Sequence, residues 1–179
     1  MKISKNRLLV GVIVMVLGVS VAHAAERSSY VGFSLGTASS DNSLYESALG
    51  WRIFVGQRLG RNFSLQLGYV DFGEMSGPPG TLGGTKNLSS SGFDFSVTGR
   101  YPFADRFAVS ARLGLLVWDS KWSNSGPTGG DTGTGNSTML YGLGGSYDYS
   151  ERIGFQANWD HYSLTDDTTV FSVGIVYRY

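Results

Sequence analysis

From Val31 to the last residue, Tyr179, apolar and polar positions alternate with a period of two, and the repeats fall into eight segments of roughly 9 to 13 residues with no helical period among them. In the first, Val31, Phe33 and Leu35 stand against Gly32, Ser34 and Gly36; in the second, Leu49, Trp51, Ile53 and Val55 stand against Gly50, Arg52, Phe54 and Gly56. The third sets Phe63, Leu65, Leu67 and Tyr69 against Ser64, Gln66 and Gly68, and the fourth sets Phe93, Phe95, Val97 and Tyr101 against Asp94, Ser96, Thr98 and Arg100. The fifth runs from Phe107 to Val117 over Ala108, Ser110, Arg112 and Gly114, and the Gly-rich sixth carries Met139, Tyr141, Leu143, Tyr147 and Tyr149 over Gly142, Gly144, Ser146 and Asp148. The seventh has Ile153, Phe155, Ala157 and Trp159 over Gly154, Gln156, Asn158 and Asp160; the eighth closes with Phe171, Val173, Ile175, Tyr177 and Tyr179 over Ser172, Gly174, Val176 and Arg178.

The connections alternate in length. Short turns are expected near Leu59 to Asn62, Pro102 to Arg106 and Ser150 to Arg152, and mostly longer polar loops near Thr37 to Ser47, Gly73 to Ser90, Asp119 to Asn136 and Ser163 to Thr168. Long loops at one end and tight turns at the other are the layout of an antiparallel up-and-down transmembrane barrel, with both termini at the short-turn, periplasmic end.

Alternation alone also fits a soluble barrel, which points its bulky residues inward and hydrates its outer face. Here the face opposite the apolar one is mostly Gly, Ser and Thr with isolated Arg, Asp and Gln, which suits a narrow lumen filled by side chains. Aromatic residues on the apolar face gather near the short turns (Phe63, Tyr101, Phe107, Tyr147, Tyr149, Tyr177, Tyr179) and near the long loops (Trp51, Tyr69, Phe93, Tyr141, Trp159). Two such bands are what lipid headgroup layers select. Lipid offers no hydrogen bond to an open strand edge, so the sheet must close.

The start of the chain differs. Lys2, Lys5 and Arg7 precede an apolar run from Leu8 to Val19 and then Ala22-His23-Ala24, the pattern of an export signal cleaved after Ala24. That run falls short of the roughly 20 residues a membrane-spanning helix needs. The expected organisation is a signal peptide over 1–24 and one all-β, eight-stranded outer-membrane β-barrel domain over 25–179. Removing the three signal cations leaves 11 Lys and Arg against 14 Asp and Glu, a formal charge of −3, so nucleic acid is not an expected partner. Cysteine is absent and His161 is the one histidine after Ala24, which removes disulfides, thiolate chemistry and a histidine-rich metal site; no cofactor is expected.

The stretch Gly99-Arg100-Tyr101-Pro102-Phe103-Ala104-Asp105-Arg106, continuing through Ala111-Arg112-Leu113-Gly114-Leu115-Leu116-Val117-Trp118, resembles the turn and fifth strand of the OmpA transmembrane domain. The terminal Phe171 to Tyr179 is similar to that family's last strand, and the resemblance implies that Phe171, Val173, Ile175, Tyr177 and Tyr179 are the signal read by the outer-membrane assembly machinery. Weaker similarity covers Gly50 to Gly73 and Gly144 to Trp159. Membership would imply an eight-stranded barrel with structural, adhesive or weak-pore roles. With the eighth strand as the last segment, the peptidoglycan-binding domain of full-length members is not expected, nor is cell-wall tethering. Gln66, Thr98, Ser146 and Gln156 stand where the family places lumen ion pairs, so gating built on those pairs does not carry over.

The polar residues expected in the lumen are Arg52, Gln66, Asp94, Arg112, Asp148, Gln156, Asn158 and Arg178. Pairing Tyr101 with Phe107 places Ser96 opposite Arg112 and Asp94 opposite Gly114, so Asp94 and Arg112 are expected as a diagonal ion pair. The alternative partners of Arg112 are Gln66 and Gln156. Pairing Tyr149 with Ile153 and His161 with Phe171 aligns Asp148, Gly154 and Arg178, so that Arg178 reaches Asp148 over the glycine.

One cluster has a catalytic look. Asp160-His161-Tyr162-Ser163 resembles the His-x-Ser of outer-membrane lipid A 3-O-deacylases, and His161 and Ser163 share the lipid-facing side with Trp159. A serine hydrolase also needs an acid to orient the imidazole, and the paired strand offers Phe171, Val173 and Ile175. Asp166 and Asp167 reach it only if the loop folds back, and a polar residue in the interfacial band is the favoured reading of His161. The glycines between Gly126 and Gly135 lack the Lys and Ser/Thr of a phosphate loop, and Pro78-Pro79-Gly80 is turn chemistry.

The expectation is therefore a monomeric, non-enzymatic barrel in the outer membrane of a Gram-negative bacterium, in contact with lipid and lipopolysaccharide and presenting four polar loops to an extracellular ligand. A narrow pore for small solutes or ions is the alternative, and lipid A hydrolysis ranks third.

Overall fold

Each alternating segment is a strand in the computed structural model, which describes residues 29–40, 47–79, 85–124, 132–163 and 167–179. The strands are β1 (Ser29–Ser40), β2 (Ala48–Leu59), β3 (Phe63–Pro79), β4 (Thr85–Pro102), β5 (Phe107–Asn124), β6 (Thr132–Asp148), β7 (Ile153–Tyr162) and β8 (Thr168–Arg178). Each pairs antiparallel with the next, and β8 returns to β1 through a register that runs from Tyr30 opposite Arg178 to Ser40 opposite Thr168. The sheet is thus a closed barrel without an edge, as backbone polar groups in hydrocarbon require.

The period of two decides the two faces. Phe33, Ile53, Phe95, Leu113, Leu115, Leu143, Val173 and other odd-numbered apolar side chains stay exposed on the outside, which is the lipid side. Rings on this surface meet across strands: Trp51 lies 5.5 Å from Tyr69, Tyr69 lies 5.1 Å from Phe93, and at the other end Phe107 lies 5.0 Å from Tyr147. Inside, the buried residues form two apolar groups, a large one around Phe72, Leu116, Leu140 and Tyr162 and a small one of Tyr30, Phe54 and Val176. The upper lumen is consequently greasier than the sequence pattern suggested. Leu116 and Trp118 continue the inward face of β5 beyond Gly114, where the expected lining was small or polar.

Short turns sit where the pattern placed them. Gly60 takes a φ of 78°, which side chains with a Cβ resist, in the turn after β2. Phe103 N–H donates to Phe107 O at 3.2 Å in the turn after β4, and in the turn after β6 the Ser150 hydroxyl accepts from Ile153 N–H at 3.0 Å.

Three expectations are corrected. Much of the second and third long loops is strand: β3 runs on to Pro79, β4 starts at Thr85, β5 ends at Asn124 and β6 starts at Thr132. Polarity marks where lipid ends and does not stop backbone pairing, so these hairpins continue well beyond the roughly 9 to 11 residues a tilted strand needs to cross a bilayer. Gly73, with φ 76° and its N–H on Asp71 Oδ1 at 2.8 Å, forms the bulge between Asp71 and Glu74 where β3 leaves the regular register. Pro78 and Pro79 end β3 and do not belong to a free turn, while Gly80 and the glycines before Thr132 lie outside the described residues. Finally, two registers are displaced by two residues. Tyr101 pairs with Val109, so Asp94 faces Leu116 and Thr98 faces Arg112; His161 pairs with Thr169, so Gly154 faces Val176. The cause is where each connection closes: the turn after β4 is centred one residue later in the chain than that pairing assumed, between Pro102 and Ala108, and the β7 to β8 hairpin closes tighter, with Tyr162 opposite Thr168.

Leu113, 56% exposed, is mid-strand on the lipid face. Leu113→Arg should therefore lower stability in lipid vesicles by about 2 to 4 kcal/mol, while Asp105→Arg in an exposed turn should change it by less than about 0.5 kcal/mol, both read by urea titration.

Candidate functional site: the barrel lumen

The inward side chains stack in layers along the axis. In the middle, Asp94 is fully buried and accepts from Arg52 twice, from Nε at 2.8 Å and from Nη2 at 2.7 Å. This is a bidentate guanidinium and carboxylate pair between β2 and β4, reaching across β3. Gly68 makes that reach possible: a Cβ there would lie 2.6 Å from Asp94 Oδ2 and 2.9 Å from Arg52 Nε. Arg52 also donates to Gln66 Oε1 at 3.2 Å and lies 4.4 Å over the Phe54 ring.

On the opposite wall Arg112 pairs with Asp160 at 2.9 Å and donates to the Tyr162 hydroxyl at 3.1 Å. Its other nitrogen lies 4.0 Å from Asp94. Asp94 and Arg112 therefore belong to one four-membered charge layer, Arg52, Asp94, Arg112 and Asp160, but each has a closer partner than the other. The displaced register explains the correction, because Asp94 stands opposite Leu116 and four residues of β5 separate it from Arg112. Two cations facing two anions leave the layer neutral, which is what allows charge to persist in so narrow an interior.

Above this layer Phe72, Leu116, Leu140 and Tyr162 are each at most 1% exposed, with Phe72 and Tyr162 edge to face at 4.9 Å. Below it, Gln66 Nε2 donates to the Tyr30 hydroxyl at 2.9 Å, and Tyr30 donates to Ser64 at 2.9 Å. Gln156 and Asn158 line the wall of β7 at this level. At the short-turn mouth Asp148 is held from both sides, by Arg100 at 2.7 Å and by Arg178. Gly154 lies beneath the Arg178 to Asp148 contact, since a Cβ there would be 2.7 Å from Arg178 Nη2. The neutral Gln66, Thr98, Ser146 and Gln156 stand between the mouth and the charge layer, so the ion pairs of this lumen lie above and below that level.

Parity places Asp160 and Arg100 on the inner face, but Asp160 and Tyr162 are read from sequence only in the His161 cluster, and Arg100 and Tyr30 are given no role in the lumen there. The usable signal was charge balance: Arg52 and Arg112 together need two carboxylates, and Asp94 supplies one.

His161 and Ser163 lie elsewhere, at the long-loop end of β7 on the lipid side. His161 stacks 4.9 Å from Tyr141, its Nδ1 is 3.3 Å from Thr169 Oγ1, and its Nε2 is 3.8 Å from Asp167, which does fold back from the loop. Both ring nitrogens thus face groups other than Ser163. The Ser163 N–H donates to Met139 O at 3.2 Å and its carbonyl accepts from Thr138. Phe171, Val173, Ile175, Tyr177 and Tyr179 form the exposed outer face at the end of the chain. Among the described residues no group of three His, Asp or Glu is placed to hold a metal ion.

The charge layer has a measurable signature. Asp94→Asn should destabilise the barrel by about 3 to 5 kcal/mol, because it strands Arg52 in the lumen. The double change Arg52→Met, Asp94→Leu should cost clearly less than the sum of the single changes in a urea titration, since it leaves Arg112 with Asp160 and no unpaired charge.

Known proteins place this geometry. The barrel resembles Ail, the attachment invasion locus protein of Yersinia pestis, solved with the heparin analogue sucrose octasulfate (TM-score 0.59, 12% identity, covering 85% of this chain and 97% of that one). It also resembles Neisserial surface protein A (TM-score 0.58, 13% identity, 84% and 96% covered) and the N-terminal β-barrel domain of Pseudomonas aeruginosa OprF (TM-score 0.56, 16% identity, 84% and 97% covered). At these identities the likeness is one of fold. A comparison with curated protein sequences gives no match. The model of the outer membrane protein beta-barrel domain matches residues 11–179, nearly the whole chain. A closed eight-stranded barrel with a lipid-facing exterior and this match together make the chain a member of the outer-membrane β-barrel domain family, a small transmembrane barrel of the bacterial outer membrane.

Proposed function

We propose that the protein is a non-enzymatic, monomeric body of the outer membrane whose work is done at its outward end, as a structural or surface-interaction protein with a lumen closed to solutes. The observation that carries this reading is the stack of the neutral charge layer under Phe72, Leu116, Leu140 and Tyr162, all at most 1% exposed. An ion crossing there would have to separate two buried ion pairs and displace well-packed rings. On this reading residues 1–24 are removed on export, the termini and short turns face the periplasm, the assembly machinery reads the last strand, and the long hairpins face outward among lipopolysaccharide.

The outward end has its own charge. Lys86 and Lys121 are its cations, against Asp41, Glu46, Glu74, Asp119, Asp131, Asp166 and Asp167, a formal −5. Ail was crystallised with a polysulfated sugar. A surface of net −5 opposes such a polyanion and favours a neutral or cationic extracellular ligand.

Planar-bilayer recording tests the closed lumen. The folded protein should give no steady single-channel conductance, whereas Leu116→Ala combined with Leu140→Ala should raise the frequency of transient openings. Steady conductance of the unaltered protein would favour the narrow pore instead.

A further inference from the structure

The short-turn end of the barrel carries an excess of arginine that its own acids do not balance. Arg58, Arg61, Arg100, Arg106, Arg152 and Arg178 stand there against Asp105, Asp148 and Glu151. Three of these arginines, Arg58, Arg100 and Arg178, lie on the inward face of their strands and border one cavity of about 70 Å³. Ser64, Ser110 and Ser146 are among the polar residues of its wall, beside the apolar Phe155 and Val176.

The partners of the three guanidinium groups are unequal. Arg100 takes one oxygen of Asp148 and Arg178 takes the other. Arg58 is half-buried, and among the described residues it makes no ion pair within 4.0 Å and no side-chain hydrogen bond, while the charges around it are Arg178, Arg100 and Asp148. The cavity therefore holds three positive charges against one negative charge. A second, independent sign comes from its wall, where the buried Thr98 Oγ1 has no hydrogen-bond partner.

We propose that this cavity is a binding site for a small free oxyanion of the phosphate class, held by Arg58, Arg100 and Arg178. The chemistry of the lining selects the ligand. Guanidinium groups present paired N–H donors that match the oxygens of a phosphate, and the serine hydroxyls and Thr98 add neutral donors around them. A divalent cation is repelled by the same three charges. The cavity, of about 70 Å³, has room for water that one phosphate would displace. The bound anion would supply the negative charge that Arg58 lacks and leave the mouth near neutrality. Because the packed rings above close the lumen, the site is a blind pocket open toward the short turns, but the binding proposal stands whether or not the lumen conducts.

Calorimetric titration of the folded protein in non-ionic detergent with inorganic phosphate, at ionic strength held constant with chloride, tests the proposal. Saturable binding at one site per barrel is expected. Arg58→Gln should weaken it by at least about tenfold, while Arg61→Gln, in the exposed turn, should leave it unchanged. Heat-dependent gel mobility reports whether each variant has folded. Should Arg58→Gln fail to fold, Ser110→Leu keeps all three arginines and fills the cavity, and it should abolish binding. Absence of saturable binding, equal affinity in Arg58→Gln or Ser110→Leu, or equal loss in Arg61→Gln would overturn the site.

Discussion

A sheet in hydrocarbon has no water to satisfy its edge, and from that constraint the rest of the molecule follows. Eight strands must close on themselves, and β8 does so on β1 over eleven residue pairs. Closing only eight strands leaves an interior so narrow that any residue on the inner face meets one from across the lumen. Charge placed there cannot be solvated separately, so Arg52, Asp94, Arg112 and Asp160 settle into one neutral layer. The glycines of the inner face give these long side chains room, as Gly68 does for Asp94 and Arg52. Above the layer the lumen is apolar and buried; below it, the mouth is rich in arginine.

What the sequence made legible, and what it did not, has a physical basis in the same geometry. Strand identity and face were readable because one-residue parity separates lipid from lumen, and parity survives a slip of two residues. For that same reason register was readable only at the shortest turn, where Asp148 faces Gly154 as expected, and not at the two longer connections. The shifts at β4 and β5 and at β7 and β8 leave every side chain on its expected face but change its neighbour, so Asp94 was assigned to Arg112 when Arg52 is its closer partner. The contact of Arg178 with Asp148 exists although Gly154 faces Val176, because a long guanidinium side chain spans the difference. Loop boundaries are not legible from polarity, because polar residues continue to pair beyond the lipid, as in the β3 and β4 hairpin. A cross-lumen contact joins strands that are not neighbours, and no pattern along one strand encodes it.

The barrel also has an electrical direction. The sequence of its four long connections is acidic, with Lys86 and Lys121 against seven carboxylates, and its short-turn end is rich in arginine. This asymmetry divides the molecule into a long-loop end that opposes polyanions and a short-turn end whose arginines favour small anions. Between them the neutral layer and the rings above it keep the two ends independent.

The central claim is that the charge layer is a dry, permanent brace. Proton-detected nuclear magnetic resonance of arginine side chains in detergent micelles tests it most directly, through exchange of the Arg52 Nε–H with water. That proton is donated to Asp94 Oδ2 at 2.8 Å in the lumen, whereas Arg61 lies in an exposed turn. The account predicts a resolved Arg52 Nε–H that exchanges at least about a hundredfold more slowly than that of Arg61, because exchange requires local opening of the layer. Equal exchange at the two arginines would mean that water moves freely through the middle of the lumen, and the brace as described would not exist.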